Sequence, residues 1–156
     1  MPLAYLPIQA ENAGPAGPRQ LVRSSEPSWC ATVPALSAAR VALLSSAALR
    51  RPSQDPFVPP EDTSYRVFPA DPEAADLAID HRSPVGTDAR RDVEVVLPRA
   101  ALAALARRGV MGSVVPACFS FVGGCRLHRQ IEEELGPALA AELAALGTDL
   151  AVLAPY

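Results

Sequence analysis

The run Arg40-Val41-Ala42-Leu43-Leu44 is the feature that most limits the folds open to this chain. It is apolar at consecutive positions, so a strand made from it buries both faces. Such a strand needs cover on both sides of its sheet, and two later segments have the pattern to supply it. Pro98 to Arg108 reads as a helix, with Leu102 and Leu105 on one face and Gly109 at its C-cap. Leu127 to Leu135 is helical, and Pro137 either starts a second helix or kinks the first. Leu139, Leu143 and Leu146 form an apolar stripe at helical spacing, and Gly147 closes it.

Strands lie between and after these helices. Tyr65-Arg66-Val67-Phe68 alternates, Leu77-Ala78-Ile79 is a short apolar run, and Asp149 to Ala154 forms a last buried strand. Val110 to Pro116 is either a strand or an irregular buried segment, and Cys118-Phe119-Ser120-Phe121 alternates. Asp71-Pro72-Glu73 has a capping acid followed by proline, the signature of a brief helix start. This order predicts an α/β fold, a three-layer sandwich with a mainly parallel sheet.

Residues 1–38 read as an extended Pro-rich arm and residues 39–156 as the α/β domain. Pro2, Pro7, Pro15, Pro18, Pro27 and Pro34 break any long element in the arm. Tyr5, Leu6, Ile8, Trp29 and Val33 give it apolar anchors, for its own domain or for a second subunit. Residues 50–63 form a polar, Pro-rich loop of the length associated with function or partial mobility.

The formal net charge is −3, and no Lys/Arg patch carries interleaved aromatics, which argues against nucleic-acid binding. No apolar run reaches membrane-spanning length. Met1-Pro2-Leu3-Ala4-Tyr5 has neither the basic nor the apolar region of a secretory signal. The three cysteines form no disulfide framework, so reduced thiols in a cytoplasmic protein are expected. No Cys or His pair has ligand spacing, so no metal is expected. No phosphate-cradling Gly motif is present, so no cofactor is expected either.

A small set of polar residues carries the chemistry. Ser45 and Ser46 end the central strand, where ligands collect in open α/β sheets; no nucleophile elbow surrounds them. Cys118 is the best nucleophile candidate if a base or cation such as His81, His128 or Arg91 lowers its pKa. The plain alternative is an inert core thiol. Cys125 precedes a helix whose positive end favours a thiolate, and Cys30 beside Trp29 reads as packing. Asp88 and Asp92, four residues apart with Arg91 between them, either grip an ammonium group or cap helices on a solvated surface.

Four ordered segments carry a family resemblance: Arg40 to Ala47; Thr63-Ser64-Tyr65-Arg66-Val67-Phe68-Pro69; Thr87-Asp88-Ala89-Arg90-Arg91-Asp92 with Val95-Val96-Leu97-Pro98; and Gly109-Val110-Met111-Gly112-Ser113 with Pro116 and Phe119-Ser120-Phe121. Together they resemble the selenoprotein B family of glycine, betaine, sarcosine and D-proline reductases. The resemblance runs from about Trp29 to Pro155. It implies binding of a small amine or amino acid, whose carbon–nitrogen bond is cleaved by a selenocysteine or cysteine. In the family that nucleophile follows a strand resembling Leu150 to Pro155, where this sequence stops. Asp88 and Asp92 carry over from the family pattern. His81 fits its first histidine, whereas Ser83, Pro84 and Val85 replace the polar residues that follow it. Ala117-Cys118 stand where the family shows Arg-His.

Two functional readings follow. In one, the chain is an enzyme, an oxidoreductase or C–N lyase acting on a small amine, amino acid or thiol compound. Cys118, Asp88 and Asp92 are then catalytic, and Ser45, Ser46, His81 and Arg91 bind substrate. In the other, it is a non-catalytic or partner-dependent subunit, a homodimer or a complex with a related chain that brings the missing nucleophile.

Overall fold

A computed structural model describes residues 34–74, 76–81 and 86–154. The predicted arm, with Tyr5, Trp29 and Cys30, and the segment containing Ser83, Pro84 and Val85 lie outside the described residues.

The fold is α/β, built on a four-stranded mixed sheet in the order β3-β5-β1-β6. β1 (Arg40–Ser45) is central. It pairs in parallel with β5 (Ser113–Phe121) on one side and with β6 (Leu150–Ala154) on the other. β3 (Tyr65–Pro69) pairs antiparallel with β5 and forms an edge. A separate two-stranded ribbon joins β2 (Leu49–Arg50) to β4 (Ala78–Ile79).

The alternation of side chains along β1 explains the layers. Leu43 faces one side, into a core with Leu49, Phe68, Ala89, Val96, Leu97 and Cys118. That side is covered by α1 (Gly86–Arg91), a short 3-10 turn (Val93–Val95) and α2 (Arg99–Arg107). Ala42 and Leu44 face the other side, against Val115, Phe119, Leu135 and Leu139. This second cover is a helical run formed by α3 (His128–Gln130), a π-helical turn (Ile131–Leu135) and α4 (Gly136–Ala145). Burying a side chain such as Leu43 or Phe119 stabilises the fold by about 1.5–3 kcal/mol relative to exposure. The two crossovers therefore run on opposite faces, β1 to β5 by α1 and α2, and β5 to β6 by the later helical run.

Several local expectations are refined. Pro137 lies in the first turn of α4, as expected of a proline that starts a second helix, and the helical run passes into it without a break. The proline lacks an N–H and would clash with the carbonyl four residues back, and the chain answers by widening the preceding turn, where the Gly136 N–H reaches the Ile131 carbonyl. Asp71-Pro72-Glu73 forms a turn and no helix. The Asp71 carboxylate accepts the Glu73 N–H at 3.0 Å and its carbonyl accepts the Ala74 N–H at 3.2 Å, so local bonds satisfy the backbone. Leu102 packs inward with Ala106, while Leu105 is 36% exposed, so the buried face of α2 follows i, i+4 spacing. Residues 113–121 form one strand across Pro116, whose carbonyl still accepts the Ala70 N–H at 3.0 Å. Gly109 and Gly147 close their helices at φ +69 and +63.

The loop at 50–63 is tied down. Phe57 is buried, and the Arg66 guanidinium lies 4.3 Å from its ring centroid. Arg66 also donates to the Asp55 carbonyl from Nε and Nη2, at 3.1 Å each. Among the described residues no helix is long and apolar enough to cross a membrane.

Candidate functional site

The carboxyl ends of β1, β5 and β6 converge where the two crossovers leave on opposite faces, the usual place for a ligand crevice in an open sheet. Ser45 and Ser46 from β1, Ser120 to Gly123 from β5, and Ala154 from β6 meet there. The Ser46 N–H donates to the Ala154 carbonyl at 3.3 Å, and the Gly123 N–H donates to the Ser46 carbonyl at 2.8 Å. A Cβ at Gly123 would stand 2.8 Å from the Ser46 carbonyl oxygen, so this approach is open only to glycine.

His81 closes the same corner. Its Nε2 lies 3.2 Å from the Gly123 carbonyl. A carbonyl only accepts, so Nε2 carries the proton in this contact. The preceding Asp80 anchors His81 from below. Its N–H donates to the Ala48 carbonyl at 3.1 Å, and its Oδ2 accepts from Arg50 Nε and from the Phe57 N–H, both at 2.8 Å. Ala48 adopts φ 52, a left-handed conformation costly for a residue with a Cβ. It is held there by its N–H to the Phe121 carbonyl at 3.0 Å and by the bond from Asp80.

The sequence-derived candidates are distributed over the fold as follows. Ser45 is fully buried, and its hydroxyl accepts the Ala47 N–H at 3.2 Å. Ser46 is 8% exposed and borders His81 through Gly123. Cys118 is 0% exposed, opposite Leu43 in the sheet and packed in the α2-side core. Burial pushes its thiol up to about 12; the Arg99 cation lowers it and the Glu94 carboxylate raises it, both by less. This is the environment of a core side chain, since a nucleophilic thiolate needs a lowered pKa and access. Cys125 is buried with Ala48, Phe57 and Val122.

Asp88 and Arg91 lie on α1 as an i, i+3 pair 3.7 Å apart, with side chains 75% and 78% exposed. Asp92 leaves that helix and caps the next turn, its Oδ1 accepting the Glu94 N–H at 2.9 Å. Ser45 and Cys118 thus lie inside the sheet while Asp88 stands in solvent, and the three do not border one crevice. Ser46 and His81 are the candidates that the fold brings together. Among the described residues no group of His, Cys, Asp or Glu is placed to hold a metal ion.

Sequence reasoning missed three members of this corner. Gly123 stands in no ligand-binding motif. Asp80 and Arg50 lie 30 positions apart, and nothing local to either signals that they pair. Their ion pair has side chains only 16% and 17% exposed and links the first and second halves of the ribbon.

No protein-family model matches the chain, and no solved structure matches it. It is similar to the D-proline reductase subunit gamma of Acetoanaerobium sticklandii, with 28% identity over 127 residues, 81% of this chain and 52% of that protein. The chain therefore spans about half the length of the curated relative it matches.

Proposed function

We propose that this chain is a small-molecule-binding component related to D-proline-type reductases, acting as one subunit of a larger assembly. The observation that carries this reading is the similarity to a D-proline reductase subunit over 127 residues. The ligand class is a small amine or amino acid. The corner formed by Ser46, Gly123 and His81 is its seat, by virtue of its position at the carboxyl ends of the parallel strands.

The burial of Cys118 favours the partner-dependent reading over a Cys118 nucleophile. A thiol with no surface and a raised pKa holds its proton at neutral pH. In this reading the reacting thiolate or selenolate comes from outside the described residues, and Asp88, Arg91 and Asp92 face a neighbouring surface.

Thermal unfolding of the full chain with D-proline, L-proline, glycine, sarcosine and betaine tests the proposal, because a ligand that binds only the folded state raises the apparent stability. One of these compounds raises the midpoint, and His81→Ala and Ser46→Ala remove the rise. A midpoint unmoved by all five, or a rise indifferent to both substitutions, overturns the assignment of this corner.

A further inference from the structure

A second feature lies away from that corner. A groove of about 660 Å³ runs between the turn after β3 and the exposed flank of α2. Asp71 and Glu73 stand on one wall, Arg99 and Arg107 on the other, and Val114 to Pro116 of β5 form the floor. β3 ends at Pro69 opposite Ala117 and the Ala70 N–H still bonds the Pro116 carbonyl, so among the described strands Val114 and Val115 have no partner on the outer side of β5.

Arg99 is only 6% exposed. Its Nη1 donates to the carbonyl oxygens of Asp71 at 3.2 Å and Pro69 at 3.5 Å. Its Nε is buried with no acceptor, and among the described residues no carboxylate pairs with the guanidinium. An arginine cannot shed its proton to escape this situation. Burial of an unpaired charge is among the more expensive arrangements a fold contains. Nη1 is already committed to carbonyls and Nε is buried, which leaves Nη2 as the nitrogen to donate a charge-assisted bond to a carboxylate.

We propose that this groove binds a small monocarboxylate, held by the Arg99 guanidinium through Nη2. The wall opposite selects its charge. Asp71 and Glu73 repel a dianion but tolerate a single carboxylate on a neutral or cationic body, so acetate and glycine fit where phosphate does not. The volume lies within the usual range for small-molecule pockets. This site stands independently of the reductase reading, since it rests on Arg99 alone and lies at another part of the sheet.

The test is a titration of the full chain with acetate, glycine and inorganic phosphate. It is followed by backbone amide shifts and by the Arg99 Nε–H resonance. Acetate and glycine shift Ala70, Asp71, Glu73, Val114 and Val115 saturably and move the Arg99 Nε–H signal. Arg99→Lys, which keeps the charge but loses the planar fork, weakens binding by roughly tenfold. Arg99→Met abolishes it. Shifts at Ser46, His81 and Gly123 instead would speak to the other corner and overturn this one. So would phosphate binding as tightly as acetate, or an Arg99 Nε–H signal that stays still in the wild-type chain, a readout that stands even if Arg99→Met fails to fold.

Discussion

Ser120 and Ser45 are joined across β5 and β1 by a hydrogen bond from the Ser120 hydroxyl to the Ser45 carbonyl oxygen at 3.0 Å, and neither residue has any exposed surface. The same hydroxyl accepts the Leu49 N–H at 2.8 Å. One buried side chain thus fixes the end of the central strand and the start of the β2 ribbon. Ser120→Ala leaves a buried N–H without its acceptor, which costs about 1–3 kcal/mol. Chemical denaturation should show the loss as a lower midpoint with an unchanged slope; a midpoint equal to wild type would mean that water or another group takes over the bond.

Gly123→Ala places a methyl 2.8 Å from the Ser46 carbonyl oxygen and 3.1 Å from its Cβ. Both belong to the end of a central strand, so neither yields easily. Overpacking of this kind costs roughly 1–3 kcal/mol. The expected readout is a lower melting temperature together with shifted amide signals at Ser46 and His81, since the Gly123 carbonyl also accepts the hydrogen bond from His81 Nε2. A variant as stable as wild type with an unmoved His81 signal would show that the strands separate freely at this point.

Cys118 ties stability to alkaline pH. Its thiol ionises near the ordinary value of 9.0 in the unfolded chain and at about 12 in the folded one. The folded state therefore holds its proton more tightly. The stability associated with the neutral thiol is complete below pH 9 and declines as pH rises from there towards 12. Cys118→Ala removes this contribution to the alkaline decline. It also leaves a small cavity, which lowers stability at neutral pH by about 1 kcal/mol. A thiol-reactive probe labels Cys118 only as the protein unfolds; rapid labelling of the native chain would reinstate the cysteine as a candidate nucleophile.

Much of the architecture was legible because it is encoded locally. The unbroken apolar run of β1, the alternation of β3 and the glycines closing α2 and α4 each announce their element within a few residues. What was not legible depends on register. Ser45 was read as a strand end facing a ligand, yet its neighbour Ser120 lies 75 positions away, and no spacing rule tells which residue of β5 stands beside it. Cys118 stands in an alternating stretch, and the side of the sheet it faces follows from the register shift between Val41 and Leu43. Arg99 follows the proline that opens α2, and the helix face it shares with Leu102 turns it inward against the turn after β3. A charged residue is ordinarily a surface residue, so the sequence gives no warning of its burial.

Two acidic positions eight residues apart, Asp80 and Asp88, should respond very differently to removal. Asp88 pairs with Arg91 at 3.7 Å with both side chains mostly exposed, where such pairs contribute little because solvent screens them and two flexible side chains lose entropy. Asp88→Asn should change stability by less than about 0.5 kcal/mol. Asp80 instead accepts from Arg50 Nε and the Phe57 N–H through one oxygen, and holds the ribbon to the loop. Arg50 also gives Nη1 to the carbonyls of Arg51, Pro52 and Gln54, each at 3.3 Å. Asp80→Ala strands a largely buried guanidinium and a backbone N–H together, at a cost of roughly 2–4 kcal/mol, below the full penalty for a wholly buried pair because the site keeps some solvent. Urea melts of both variants decide the contrast. Hydrogen exchange at Phe57 should accelerate in Asp80→Ala and stay unchanged in Asp88→Asn; equal losses in the two variants would mean that the Arg50–Asp80 contact is no stronger than a surface pair.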